Sequence, residues 1–177
     1  MKSRKNVIFL GMMGSGKSSI GLIVSKKLKM DLVDIDKEIE KKIGMKIWEI
    51  FKKKGEQYFR ENEEKITLDF LEKKNKIVAL GGGAFLNKNI RTEVLQNHIS
   101  FWLDWDPVTL IDRIKYSKNS KKRPIATRSS KKELLEIIKK RSKIYSKALY
   151  KINCENLKKN EIADKILIIY EKHKTDS

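Results

Sequence analysis

Gly11-Met12-Met13-Gly14-Ser15-Gly16-Lys17-Ser18 spells G-x-x-x-x-G-K-S, a spacing of residue types suited to holding phosphate. The glycines let backbone N–H groups curl around phosphate oxygens. A helix beginning at the end of the motif adds the partial positive charge of its N-terminus. Lys17 can reach the outer phosphates of a nucleoside triphosphate, and the Ser18 hydroxyl can ligate Mg²⁺. The context agrees: K-N-V-I-F-L at 5–10 is a short apolar strand before the motif. After it, 18–28 is an amphipathic helix with Ile20, Ile23, Val24 and Leu28 on one stripe.

A phosphate cradle does not name an acceptor, and three further groups bear on that. Asp34-Ile35-Asp36 closes a second strand, so both acids reach the sheet edge where α/β proteins bind ligands. Alternate residues of an extended segment share a face, so the two carboxylates can enter one crevice. There, one can support Mg²⁺ and the other can align a hydroxyl. Asp36 as the N-cap of the next helix is the alternative. Gly81, Gly82 and Gly83 follow a buried strand and leave bare backbone at the same edge; a flexible turn is the plainer account. Arginine is the third signal. The chain has seven arginines among 41 cations, so lysine is its default, and arginine marks positions that need a planar fork. Arg60, Arg123 and Arg141 stand out, whereas Arg4 and Arg91 read as surface residues. Each arginine taken alone would serve equally as half of a surface ion pair.

The elements that position these groups alternate along the chain. Helices are expected at 37–44, 46–54, 56–74, 87–96, 131–147 and 160–172, with one more opening at Pro107. Strands are expected at 5–10, 31–36, 76–80, 99–103 and 151–154. Five strands separated by helices imply a parallel sheet covered on both faces, an α/β/α architecture. The stretch 116–130 is long, polar and basic; loops of that kind act as lids or lie idle on the surface.

The 177 residues suffice for one domain with a sound core. No apolar run is long enough to span a membrane, and the first residues run too directly into a strand to form a signal peptide. The single Cys154 reads as a small buried thiol and suits a reducing, cytoplasmic setting. A net charge of +18 ordinarily points to nucleic acid. Here the lysines are scattered over every expected helix, with no aromatic-interleaved groove among them, so no nucleic-acid partner is expected.

Taken in order and spacing, G-M-M-G-S-G-K-S, D-I-D, I-F-K-K-K-G-E-Q-Y-F-R-E-N-E-E at 50–64, L-G-G-G-A at 80–84, R-P at 123–124 and K-K-R-S-K-I-Y at 139–145 resemble the shikimate kinase family over nearly the whole chain. The resemblance implies a single three-layer P-loop kinase domain over 1–177, with a five-stranded parallel sheet and a lid at about 116–130. It implies transfer of the γ-phosphoryl of ATP to the 3-hydroxyl of shikimate, with Mg²⁺, by a chain that is usually monomeric. By the same resemblance the catalytic residues are Lys17, Asp36 and Arg123. ATP falls to Gly14, Ser15, Gly16, Lys17, Ser18, Ser19, Arg113, Arg123 and Asn153, with 153–160 over the adenine. Shikimate falls to Asp36, Arg60, Gly82, Gly83 and Arg141, walled by Phe51 and Phe59, with Glu63 orienting Arg60. Ser18, and Asp34 through water, hold the metal. The chain departs from the family in reading R-P-I-A-T-R where R-P-L-L is commoner, and in carrying Met12 where proline is frequent. Competing readings are a gluconate or nucleoside-monophosphate kinase and a nucleic-acid-binding P-loop module.

Overall fold

The computed structural model describes residues 5–116 and 129–175. Its centre is β1 (Val7–Leu10), whose four residues are all buried, as a strand covered on both faces requires. It is flanked by β3 (Lys76–Ala79) and β4 (Ile99–Asp104), with β2 (Asp31–Asp34) and β5 (Tyr150–Asn153) outside them. The order is β2-β3-β1-β4-β5 and every pairing is parallel. The register sets Phe9 and Asp34 beside Ala79, Leu10 beside Trp102, and Asp104 beside Asn153. The C-terminal ends of all five strands therefore share one edge.

Helices α1 (Lys17–Leu28), α2 (Ile35–Ile43), α3 (Ile47–Lys53), α4 (Gly55–Leu71), α5 (Lys88–Asn97), α6 (Pro107–Tyr116), α7 (Lys131–Tyr145) and α8 (Lys159–Thr175) complete the layers. Ile20 and Val24 of α1, Ile66 and Leu71 of α4, and Ile162 and Ile166 of α8 are buried in one continuous core with the strands. Among the described residues no helix is long and apolar enough to cross a membrane.

Three differences from the sequence expectation have local causes. The second strand stops at Asp34, not Asp36. Asp34 keeps an extended backbone and its Oδ1 accepts from Lys37 N, so it is the N-cap, and Asp36 falls in the first turn of α2. The alternation argument for the two acids therefore fails. The helix expected at 56–74 starts at Gly55, whose φ of 85° turns the corner from α3 with only Lys54 between, and it ends at Leu71. Arg91 is no idle surface residue: its Nη1 donates to the carbonyls of Phe85 and Leu86.

The far edge of the sheet is fastened by Asn6, which is fully buried. Its Nδ2 donates to Leu71 O (3.1 Å) and Lys73 O (2.5 Å), and its Oδ1 accepts from Lys76 N (2.9 Å). That amide takes up orphan carbonyls at the end of α4 and ties them to the start of β3. Cys154 is buried after β5; burial pushes its thiol up to about 12, which leaves it inert at neutral pH.

Candidate active site

The loop between β1 and α1 is shaped by backbone conformations that side chains resist. Gly11, Gly14 and Gly16 have φ of 138°, 81° and 92°. A Cβ on Gly11 would lie 3.0 Å from Leu103 O, so the loop is also held close to β4. Gly16 is the N-cap of α1 and no side chain caps the helix, which leaves its first N–H groups for an anion. Lys17 is buried, and its Nζ donates to Gly11 O (2.9 Å) and Met12 O (3.0 Å), so the ammonium is held across the loop.

This loop forms one wall of a cavity of about 900 Å³. Gly14, Ser15, Gly16, Lys17, Ser18 and Ser19 all line it, and so do Asp34 and Asp36. The two acids thus reach the crevice, one from the end of a strand and one from the first turn of a helix. Ser18 Oγ donates to Asp34 Oδ2 at 2.5 Å. A hydroxyl and a carboxylate together are hard oxygen donors of the kind Mg²⁺ takes while keeping waters and phosphate oxygens as its remaining ligands. The pair therefore fits the metal expected there.

Arg113 lies over the ring of Trp105, with Cζ 3.4 Å from the ring centroid; both line the cavity, as do Leu157, Lys158 and Lys159. Asn153 does not reach it. Its side chain is exposed and Oδ1 accepts from Glu155 N, capping the turn after β5. Of the segment 153–160, it is Leu157, Lys158 and Lys159 that form the wall.

The expected acceptor residues gather around the backbone of Gly81, Gly82 and Gly83. Gly82 lines the cavity; Arg60, Arg141, Gly83, Phe51 and Phe59 do not. A Cβ on Gly83 would fall 2.5 Å from Arg60 Nη1, and one on Gly81 would fall 2.7 Å from both Asp36 Oδ1 and Glu63 Oε1. Gly82 O accepts from Arg141 Nη1 (3.1 Å) and from the Tyr145 hydroxyl. Gly81 and Gly83 thus leave room for two acids and an arginine, and Gly82 for the backbone of Met13.

Arg60 is held by its own helix. Nη1 donates to Glu63 Oε2 (2.6 Å), while Nε and Nη2 reach Glu56 Oε1 (3.3 and 3.2 Å). Its guanidinium lies 5.1 Å from the centroid of the buried Phe59 ring, and Phe51 packs on Phe59 with centroids 4.7 Å apart. The two phenylalanines floor the arginine. Glu63 is only 3% exposed, and burial raises its carboxyl above the ordinary range, opposed by Arg60 and then Arg141. Arg123 lies outside the described residues, as does most of 116–130, including Arg128.

Sequence reasoning missed Trp105, Tyr145 and Glu56. Trp105 carried a usable signal, being an aromatic just past the end of β4, at the ligand edge. Tyr145, one turn after Arg141, and Glu56, one turn before Arg60, stood at helical spacing from residues already singled out.

A family model described as Shikimate kinase matches residues 13–171. The shikimate kinase of Persephonella marina is 38% identical over 163 residues, covering 92% of this chain and 97% of that protein. That of Bacillus subtilis is 40% identical over 164 residues, covering 92% and 87%. Among solved structures, a shikimate kinase from Acinetobacter baumannii in complex with shikimate aligns with a TM-score of 0.87 at 30% identity, covering 97% of this chain and 95% of that one.

Proposed function

The chain belongs to the shikimate kinase family, and on that premise we propose that it transfers the γ-phosphoryl group of ATP to the 3-hydroxyl of shikimate. The observation that carries this reading is a convergence at one edge of the sheet. Asp36 lines the cavity of the phosphate loop and also meets the glycine run on which Arg60, Glu63 and Arg141 close. Shikimate is a small carboxylate with several hydroxyls. It needs a fork for the carboxylate and an acceptor for hydroxyl protons, and those two chemistries sit side by side here.

In this reading Arg60 and Arg141 grip the substrate carboxylate through charge-assisted hydrogen bonds, with Gly82 and Gly83 offering close backbone approach. Phe51 and Phe59 keep Arg60 from falling away, and Glu63 fixes the direction of its fork. Glu56 is exposed and gives up its hold when the substrate arrives, at small cost. Asp36 accepts the hydrogen of the attacking hydroxyl and aligns it with the phosphorus. The phosphate loop and Lys17 hold the triphosphate, with Ser19 at the start of α1. Charge that develops on the transferring group is met by donors already in place. Ser18, and Asp34 through water, would hold Mg²⁺, which when bound would neutralise charge on the outer phosphate oxygens. Arg113 covers one face of the base. Arg123 supports the phosphates from 116–130, as the family pattern implies, and the chain acts as one kinase domain over 1–177.

A coupled assay of ADP release tests the reading, with shikimate, gluconate and nucleoside monophosphates compared side by side. Turnover should be almost nil without an acceptor and should rise with shikimate alone. Comparable rates with another acceptor, or none with shikimate, would overturn it.

A further inference from the structure

Trp105 belongs to no part of the phosphate motif, yet separate contacts bind it to that site. It is 7% exposed and lies just past β4, at the edge where the phosphate loop opens. Its Nε1 donates to Ser15 O at 2.9 Å, joining residues 90 positions apart. Its ring supports the Arg113 guanidinium, and both side chains line the cavity that Lys17 also lines.

An arginine on an exposed helix face samples many rotamers, and fixing it costs conformational entropy. Indole is the best of the aromatic partners for a cation on its face. A Cζ-to-centroid distance of 3.4 Å is van der Waals contact over the ring, so the guanidinium is laid flat before any ligand comes. A planar group with one face covered offers the other to a planar ligand. The same indole, through its N–H, is tied to the backbone of the phosphate loop.

We propose that Trp105 is a positioning residue for the nucleotide base. It lays Arg113 flat as a stacking wall and fixes that wall to the phosphate loop through Ser15, so that one side chain sets the distance between base and triphosphate subsites. This rests on the reading of the cavity as an ATP site.

The test is titration calorimetry of the full chain with Mg²⁺, without acceptor, using ATP and inorganic tripolyphosphate as the two probes. The ratio of their dissociation constants measures what the nucleoside adds. Trp105→Leu and Arg113→Met should each cut that ratio about tenfold, within the range of a partly desolvated cation–π contact. The double variant should lose no more than Arg113→Met alone. Trp105→Phe keeps a ring face and loses the N–H. It should cut the ratio by about threefold through the lost tie to Ser15 and have no effect on the ratio in the Arg113→Met background; an unchanged ratio in the single variant, or an equal cut in both backgrounds, would overturn the proposal. If Trp105→Leu does not fold, that last pair still decides. Equal weakening of both probes by Trp105→Leu would overturn the proposal, since Trp105 would then only prop the loop. A double variant whose loss is the product of the two singles would also overturn it. Because no acceptor is present, a wrong acceptor assignment leaves these results unmoved, whereas failure of the unsubstituted chain to bind ATP would sink both readings.

Discussion

In the proposed reading, the phosphate end and the acceptor end of the site are built in opposite ways. The phosphate end is made chiefly from eight consecutive residues, Gly11 to Ser18, and its binding groups are backbone N–H donors set by glycine conformations. The acceptor end takes Asp36 from α2, Arg60 and Glu63 from α4, Arg141 and Tyr145 from α7, and bare backbone from the loop after β3. Its proposed binding groups are side chains with braces of their own, Arg60 on Glu56 and Glu63, Arg141 on the Gly82 carbonyl. A site made of backbone is robust to its neighbours and indifferent to the rest of the ligand. A site made of braced side chains is selective, and each brace is a point of failure.

That contrast predicts which perturbations travel. Lys17→Met should cut kcat roughly 1,000-fold whatever the acceptor, since it removes a preorganised donor to the transferring group. A loss confined to the KM for shikimate would blur the division between the ends. Asp36→Asn keeps the shape and removes the acceptor of the hydroxyl proton; kcat should fall at least roughly 100-fold. Near-normal turnover in a steady-state assay would remove Asp36 from the chemistry. Arg60→Lys keeps the charge and loses the fork, so the KM for shikimate should rise about tenfold while that for ATP moves less than about twofold. Equal shifts in both would show that the two ends are not separable.

The smallest effect concerns acidity. Glu63 has its carboxyl raised by burial, so the folded chain keeps this proton to a higher pH than the unfolded chain does. Its contribution to stability is therefore greatest at acid pH and declines as pH rises through that window. Function runs the other way, because a protonated Glu63 no longer orients Arg60. The KM for shikimate should begin to climb on the acid side before ordinary carboxylates titrate, by about two- to threefold, while the KM for ATP stays flat. This order of magnitude is that of weakening one charge-assisted bond. In Glu63→Gln the dependence should be replaced by a KM that is raised at every pH.

The same contrast explains what could be read from the chain alone. The phosphate loop was legible because its physics is local: glycine positions, a lysine, and a strand and helix on either side. Sheet membership of the five strands followed from short strand-like stretches alternating with helices, while boundaries slipped where caps decide them, as at Asp34 and Gly55. Asp36 was assigned to the crevice through a strand geometry it does not have; the helix turn that replaced the strand happens to deliver it to the same wall. Arg60 and Arg141 were singled out as rare arginines in a lysine-rich chain, but their meeting at the glycine run is a tertiary fact. Asn153 stands away from the cavity lining for the converse reason. Asparagine beside a turn has a backbone amide to satisfy, and it did that instead.

Asn6 gives this molecule an anchorage remote from its workplace. Its one amide knots the tail of α4 to β3, at the end of the sheet away from the ligands, while the head of the same helix carries Arg60. Loosening that knot would leave every group in the crevice chemically intact and free the whole lever on which the substrate's grip is mounted. Damage there would surface as lost endurance to heat, well before any change in what the enzyme prefers to phosphorylate.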